Sequence, residues 1–262
     1  MGAVTHLERF IDDLESQRRR LVVVNGAGVE SLVDDIVDYF DRFELVIEHV
    51  TVSALPDAFF LLTDGDDCLG GVGVRDLHKY LFDSLDGEAL GGLEDVRHRP
   101  VVEGFLARLD QNVYSLSGER RLLLVCVSQL LESRAWRRGE GTLHAGVQRF
   151  DTFERAPGTW TRYRKIADSS VETTVYGQPG WEPDDWGGVQ AYADESGDLV
   201  GDYWFVVYDG PERRDDGALL AREVSDGRYT GFWTFESDTV EALVDTLVET
   251  YQPSLARVDG RR

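Results

Sequence analysis

Leu122-Leu-Leu-Val-Cys-Val-Ser-Gln-Leu-Leu-Glu-Ser-Arg-Ala-Trp-Arg-Arg-Gly139 runs directly into Glu140-Gly-Thr-Leu-His-Ala-Gly-Val-Gln-Arg-Phe150. The first segment is apolar nearly all round, too oily for a surface helix, and too short to span a bilayer, which takes about 20 apolar residues. A buried central helix over about residues 118–138 fits, with Ser117 as the expected N-cap and Gly139 as the expected stop. Its last turn becomes basic: Arg134, Arg137 and Arg138 stand where cations oppose the negative end of the helix dipole. A strand-like run after the glycine carries His144, Gln148 and Arg149. A core helix ending in cations beside polar side chains is the best ligand-site candidate. The contacts expected there are Arg134, Arg138, His144, Gln148 and Arg149.

On the amino-terminal side of this stretch, helix and strand patterns alternate. Thr5 to Glu8 reads as a capping box, with Leu7, Phe10, Ile11 and Leu14 following at helical spacing. Short strands are expected at residues 21–24, 43–50 and 59–63, a return strand at 68–74, and helix faces at Val29 to Phe40 and Val74 to Leu85. The alternation predicts a small parallel-type sheet. Residues 86–99, with three glycines and mixed charges, read as a connector between an amino-terminal α/β half (1–90) and a second half (91–262). A short helix at 101–109 and a strand at 112–116 lead into the central helix.

On the carboxyl-terminal side, a polar helix is expected at 159–167 and a strand at 171–176. The loop Pro179-Gly-Trp-Glu-Pro-Asp-Asp-Trp-Gly-Gly188 follows. Tyr203 to Tyr208 is apolar on both alternating faces and reads as a central strand. Residues 218–224 and 229–235 flank an Asp226-Gly227 turn and form a hairpin. A last helix starts at Ser237 or Asp238, with Glu241 completing a capping box, and the tail after Pro253 is expected to fray. The fold class expected is therefore α/β: mixed sheets with helices on their faces, and a carboxyl-terminal antiparallel meander followed by a helix.

The chain of 262 residues is 42% hydrophobic, enough for a substantial core, and carries 49 acidic against 27 basic residues, a net charge of −22. Only Lys79 and Lys165 are lysines, so arginine supplies 25 of the 27 cations. Such a surface suits a cytoplasmic protein of a salt-accumulating halophile, because at 1 M salt the Debye length is roughly 3 Å and carboxylate repulsion is screened. Dilution below molar salt is expected to lower the Tm, and a Tm that rises as salt is removed would contradict this reading. The negative field opposes general nucleic-acid binding, which needs cations facing phosphates. Cys68 and Cys126 lack C-x-x-C spacing and read as reduced thiols. No signal peptide or membrane-length apolar run is visible.

Several pieces together resemble the DICT sensory domain, particularly its haloarchaeal stand-alone form. They are Gly141-Thr-Leu-His-Ala-Gly-Val-Gln-Arg-Phe150 with Glu132 and Arg134 before it, Val175-Tyr-Gly-Gln-Pro-Gly-Trp-Glu-Pro183, Trp204-Phe-Val-Val-Tyr-Asp209 and Gly231-Phe-Trp-Thr-Phe235. The similarity is best over about residues 117–250, and Leu21-Val-Val-Val-Asn25 matches the usual amino-terminal half. The family is named for its company, diguanylate cyclases and two-component systems. The resemblance implies a sensory role in signal transduction, but supplies neither a ligand nor a catalytic residue.

Other candidate sites are weaker. Gly26-Ala-Gly28, with Glu48 about twenty residues on, outlines a dinucleotide turn, but Ser31 occupies the third glycine position. Asp64, Asp66 and Asp67 lack calcium-loop spacing and read as a solvated turn. From Leu130 to Ile166, eight basic residues stand against four acidic ones, a local surplus of +4 that suits a small anion or an acidic partner face, or pairing within the fold. Trp181 and Trp233 are possible stacking surfaces; Trp204 and Trp233 also read as strand core. Motifs of hydrolases, metalloproteases, P-loop proteins, kinases and zinc fingers are absent, and no cofactor or metal can be named. The expected function is non-catalytic sensing of a small ligand or a partner, passed to a separate signalling or regulatory protein. Two alternatives stay open: a Rossmann-like nucleotide-binding protein or enzyme using the Gly26–Gly28 turn, and a structural interaction protein without a ligand.

Overall fold

The computed structural model describes residues 6–12, 20–40, 45–53, 57–64, 67–82, 100–109, 114–117, 121–225 and 227–258. Helix α1 (His6–Asp12) precedes β1 (Arg20–Val24), α2 (Glu30–Phe40), β2 (Val46–Val50), β3 (Phe59–Asp64), β4 (Asp67–Gly73) and α3 (Val74–Phe82). The four strands form one sheet in the order β2-β1-β3-β4. Only β1 and β2 run parallel, whereas β1–β3 and β3–β4 are antiparallel. The expected parallel-type sheet is thus corrected to a mixed one. The link from β3 to β4 is too short for a crossover, which needs a dozen or more residues. Val33, Ile36 and Phe40 of α2 and Leu77 and Leu81 of α3 bury at helical spacing against Leu21, Val23, Phe60 and Leu62. The proposed capping box at Thr5 lies outside the described residues.

The remaining elements are α4 (Pro100–Arg108), β5 (Tyr114–Ser117), α5 (Arg121–Arg138), β6 (Glu140–Arg149), α6 (Asp151–Arg155), α7 (Pro157–Ala167), β7 (Ser170–Gln178) and β8 (Gln190–Ala193), followed by β9 (Tyr203–Asp209), β10 (Gly217–Ser225), β11 (Arg228–Thr234), α8 (Ser237–Asp245) and β12 (Ala256–Val258). They build an eight-stranded sheet in the order β12-β8-β7-β6-β9-β10-β11-β5. β6–β7 and β7–β8 are parallel, and β9, β10 and β11 form the antiparallel meander that leads into α8. The protein is a mixed α/β fold, as the sequence patterns indicate.

Strand alternation sends side chains to two faces of this sheet. Leu143, Ala145, Val175, Val206, Tyr208, Leu219 and Trp233 meet α5 and α7 in a core that continues through α4 to the smaller sheet. Tyr176, Phe205, Val207, Leu220 and Phe232 meet α1, α8 and the π-helical turn Thr246–Tyr251 on the opposite face. The oily sequence of α5 follows from this placement. It packs on β6, β9 and β10 and against α3 and α7, so most of its circumference is enclosed.

Helix α5 is described from Arg121 and β5 ends at Ser117; the residues between them, where the expected helix start falls, lie outside the described residues. It stops where expected: Gly139 takes φ +69°, a left-handed value that costs glycine little, and its amide closes on the Ala135 carbonyl at 2.9 Å. At α8 the expected capping box is replaced by another contact. The Ser237 hydroxyl donates to the Arg213 carbonyl, and Glu236 is the residue before the helix. The expected fraying after Pro253 does not hold for residues 256–258, where β12 pairs antiparallel with β8 and adds an edge strand.

Candidate functional site

The cations at the end of α5 serve the fold. The Arg134 guanidinium lies 4.7 Å from the Phe235 ring centroid and donates to the Asp216 carbonyl at 3.1 Å. Arg138 pairs with Asp215 at 2.5 Å, with the carboxylate buried and the arginine 43% exposed. Both arginines therefore hold the turn Arg213–Asp215 that links β9 to β10. His144 is on the other face of the sheet, stacked on Tyr176. Arg149 is exposed beside Gln178 and Asp151. Trp233 is 1% exposed and donates to the Leu106 carbonyl at 3.1 Å. Trp181 packs with Phe153, Trp160 and Trp186 in an aromatic cluster under α6 and α7. The seven sequence candidates therefore do not form one recess, and only Gln148 lines the cleft described next.

That cleft, of about 240 Å³, lies between α5, α6, α7 and the ends of β6 and β9. Val125, Ser128, Gln129 and Glu132 contribute from α5 at spacings of three and four residues, and the last three form a polar stripe before the basic last turn of the helix. Thr159, Arg162 and Tyr163 come from α7, and Thr152 and Ala156 from the segment before it. Val147, Gln148 and Trp204 form the side next to the sheet. A bulge in β6 makes room here. The β6–β7 register shifts between Gly146 and Arg149, and Gln148 has φ +60°, which is uncommon outside glycine. The resulting turn lets Gln148 donate to Glu223 at 2.7 Å and accept from the Tyr229 hydroxyl at 3.3 Å, bridging past Trp204.

The cleft wall contains a buried ionic network. Glu132 is 2% exposed, and accepts from Arg162 Nη1 at 2.5 Å on one oxygen and from the Tyr163 hydroxyl at 2.7 Å on the other. Burial opposes the Arg162 charge, but the Glu132 carboxylate beside it outweighs burial, and the guanidinium pKa is raised. Burial, then the same carboxylate, raises the Tyr163 pKa well above the usual phenol range, so Tyr163 keeps its proton. Arg162 is 3% exposed, and its Nε and Nη2 have no hydrogen-bond partner among the described residues; neither has the Ser128 hydroxyl. Buried donors left in this state are costly, and native interiors contain few of them.

No protein-family model matches the chain, and no curated protein matches it. Among solved structures, it is similar to the polyphosphate kinase of Porphyromonas gingivalis, with 11% identity, a TM-score of 0.33, and coverage of 92% of this chain and 47% of that one. The chain thus spans about half the length of that structure.

Two features lie apart from the cleft. At the Gly26–Gly28 turn, the Gly28 amide donates to Glu30 at 2.8 Å, so a carboxylate occupies the start of α2 where a dinucleotide phosphate would need the amides. That amide and Glu30's own hold the carboxyl below its usual pKa range. Asp34 adds negative charge to the same recess, and Glu48 faces Arg20 at 3.7 Å. Among the described residues, no group of three or more His, Cys, Asp or Glu side chains is placed to hold a metal ion.

On the opposite face, Gln252 donates to the Tyr176 hydroxyl at 2.8 Å, and His144 Nδ1 lies 2.8 Å from the same oxygen. Burial lowers the His144 pKa from its ordinary 6.5 to about 4. Between those values the unfolded chain takes up a proton that the folded protein does not, so stability falls as pH drops from about 6.5 towards about 4. The variant His144→Gln should flatten that part of a Tm-versus-pH profile. A profile that keeps its wild-type slope would show that His144 is not the group responsible.

Proposed function

We propose that this protein is a non-catalytic sensory module of the DICT kind, working at high salt, which binds a small ligand in the cleft between α5 and α7. One observation carries the reading: an open cleft beside a buried arginine whose Nε and Nη2 are closed to solvent and have no partner among the described residues. A solvent-reachable recess with convergent polar groups is a default ligand site, and the unused donors give this one a specific demand. The Glu132 of the family-like signature and the Trp204 of a second family-like piece both line it. Its polar groups lack a nucleophile beside a free base, since Glu132 is engaged by Arg162 and Tyr163. Occupancy joins α5, α7 and the β6 bulge, and a signal arises if the ligand prefers one arrangement of these elements over another. The output passes to a separate signalling or regulatory protein.

The test is a thermal-shift screen in molar salt with nucleotides, cyclic dinucleotides, small carboxylates and small amides. A stabilising compound should lose its effect in Ser128→Leu, which fills the cleft, and keep it in Gly28→Glu. The opposite pattern would support the nucleotide-turn alternative instead.

A further inference from the structure

A cleft that contains its own ion pair constrains the charge of its ligand. Glu132 and Arg162 cancel, and Ser128, Gln148 and Thr159 around them are uncharged. Arg162 Nη1 is taken by Glu132, which leaves Nε and Nη2. These two nitrogens share one edge of the planar guanidinium and form a fork of parallel donors. The Ser128 hydroxyl, also buried and without a partner, adds a third polar group. Val125, Val147 and Trp204 supply apolar surface to the same cleft. About 240 Å³ is below the ~300–1,000 Å³ of drug-sized sites, so the occupant is small.

We propose that the ligand is a small neutral molecule with an aromatic or apolar body and a carbonyl-type acceptor, which reaches the Nε–Nη2 edge of Arg162, closed to solvent in this structure, by parting the cleft wall beside Ser128. This deepens the ligand-binding reading above and rests on it. A neutral acceptor satisfies the donors without adding charge. A carboxylate would satisfy the same fork, but it would bring a second anion to a guanidinium that Glu132 already neutralises. An uncompensated buried charge is far more costly than a hydrogen-bonded dipole.

Ligand-observed NMR titrations in molar salt, with benzamide, benzoate and toluene as probes, vary the head group on one ring. Benzamide should bind the wild-type protein at least ~10-fold more tightly than benzoate, with toluene weaker than benzamide. Glu132→Gln, which leaves Arg162 uncompensated, should reverse the order in favour of benzoate. If that variant does not fold, Ser128→Leu serves as the second measurement and should abolish benzamide binding. Benzoate equal to or tighter than benzamide in the wild type overturns the neutral class while leaving a ligand cleft in place. Toluene as tight as benzamide removes the role of the arginine fork, and benzamide binding that persists in Ser128→Leu places it outside the cleft. Absence of binding by all three probes also overturns the inference. The wider reading falls separately, if the compounds of the thermal-shift screen also leave the Tm unchanged.

Discussion

Arg162→Met is expected to lower the unfolding free energy by about 3–5 kcal/mol, measured by denaturant titration at fixed molar salt. The side chains of Arg162 and Glu132 are 4% and 3% exposed, so removing the cation leaves a carboxylate that water cannot reach. The Tyr163 hydroxyl would remain as its partner and cannot neutralise it. The triple variant Glu132→Leu, Arg162→Met, Tyr163→Phe removes every member of the network at once, and should recover most of the loss or exceed wild-type stability. Recovery in the triple variant would show that the network costs stability, as expected of groups kept for binding. A triple variant as unstable as Arg162→Met would instead make the network a scaffold.

Trp233→Ala should cost about 3–5 kcal/mol, the usual range for deleting a buried aromatic side chain, with ligand-induced thermal shifts unchanged. The indole is 1% exposed and reaches from β11 to the Leu106 carbonyl at the end of α4. Helix α4 also packs on β4, so this side chain ties the two sheets together. A loss under about 1 kcal/mol, combined with abolished ligand shifts, would return Trp233 to the stacking role considered from the sequence.

Periodicity made most of the fold legible. The three strands of the meander and the amphipathic α2 and α3 show the spacing that their burial requires, and α5, apolar nearly all round, shows its enclosure by composition. Strand direction in the smaller sheet was not legible, because alternation of helix and strand does not reveal which connections are crossovers. Strand β12 was missed because three residues give no period, and its pairing partner β8 lies far away in sequence.

The site was legible in part. Charge drew attention to Arg134 and Arg138, yet a C-terminal cation is as easily recruited by a neighbouring loop, here by Asp215 and Asp216. The better signal was polarity inside the oily part of the helix: Ser128, Gln129 and Glu132 lie on one stripe ahead of its basic last turn. Arg162 was hidden in the polar sequence of α7, where a buried arginine looks like an exposed one. His144 was displaced by strand geometry, since a one-residue step along β6 moves a side chain to the opposite face.

A crystal structure of the protein grown at molar salt, with the most stabilising compound of the thermal-shift screen, tests the central claim most directly. The account predicts the compound between α5 and α7, with an acceptor atom about 3 Å from Arg162 Nε or Nη2 and its apolar body against Trp204. The contradictory result is a compound seated elsewhere, at the Gly26–Gly28 turn or on the outer surface, while ordered waters alone satisfy Arg162 and Ser128.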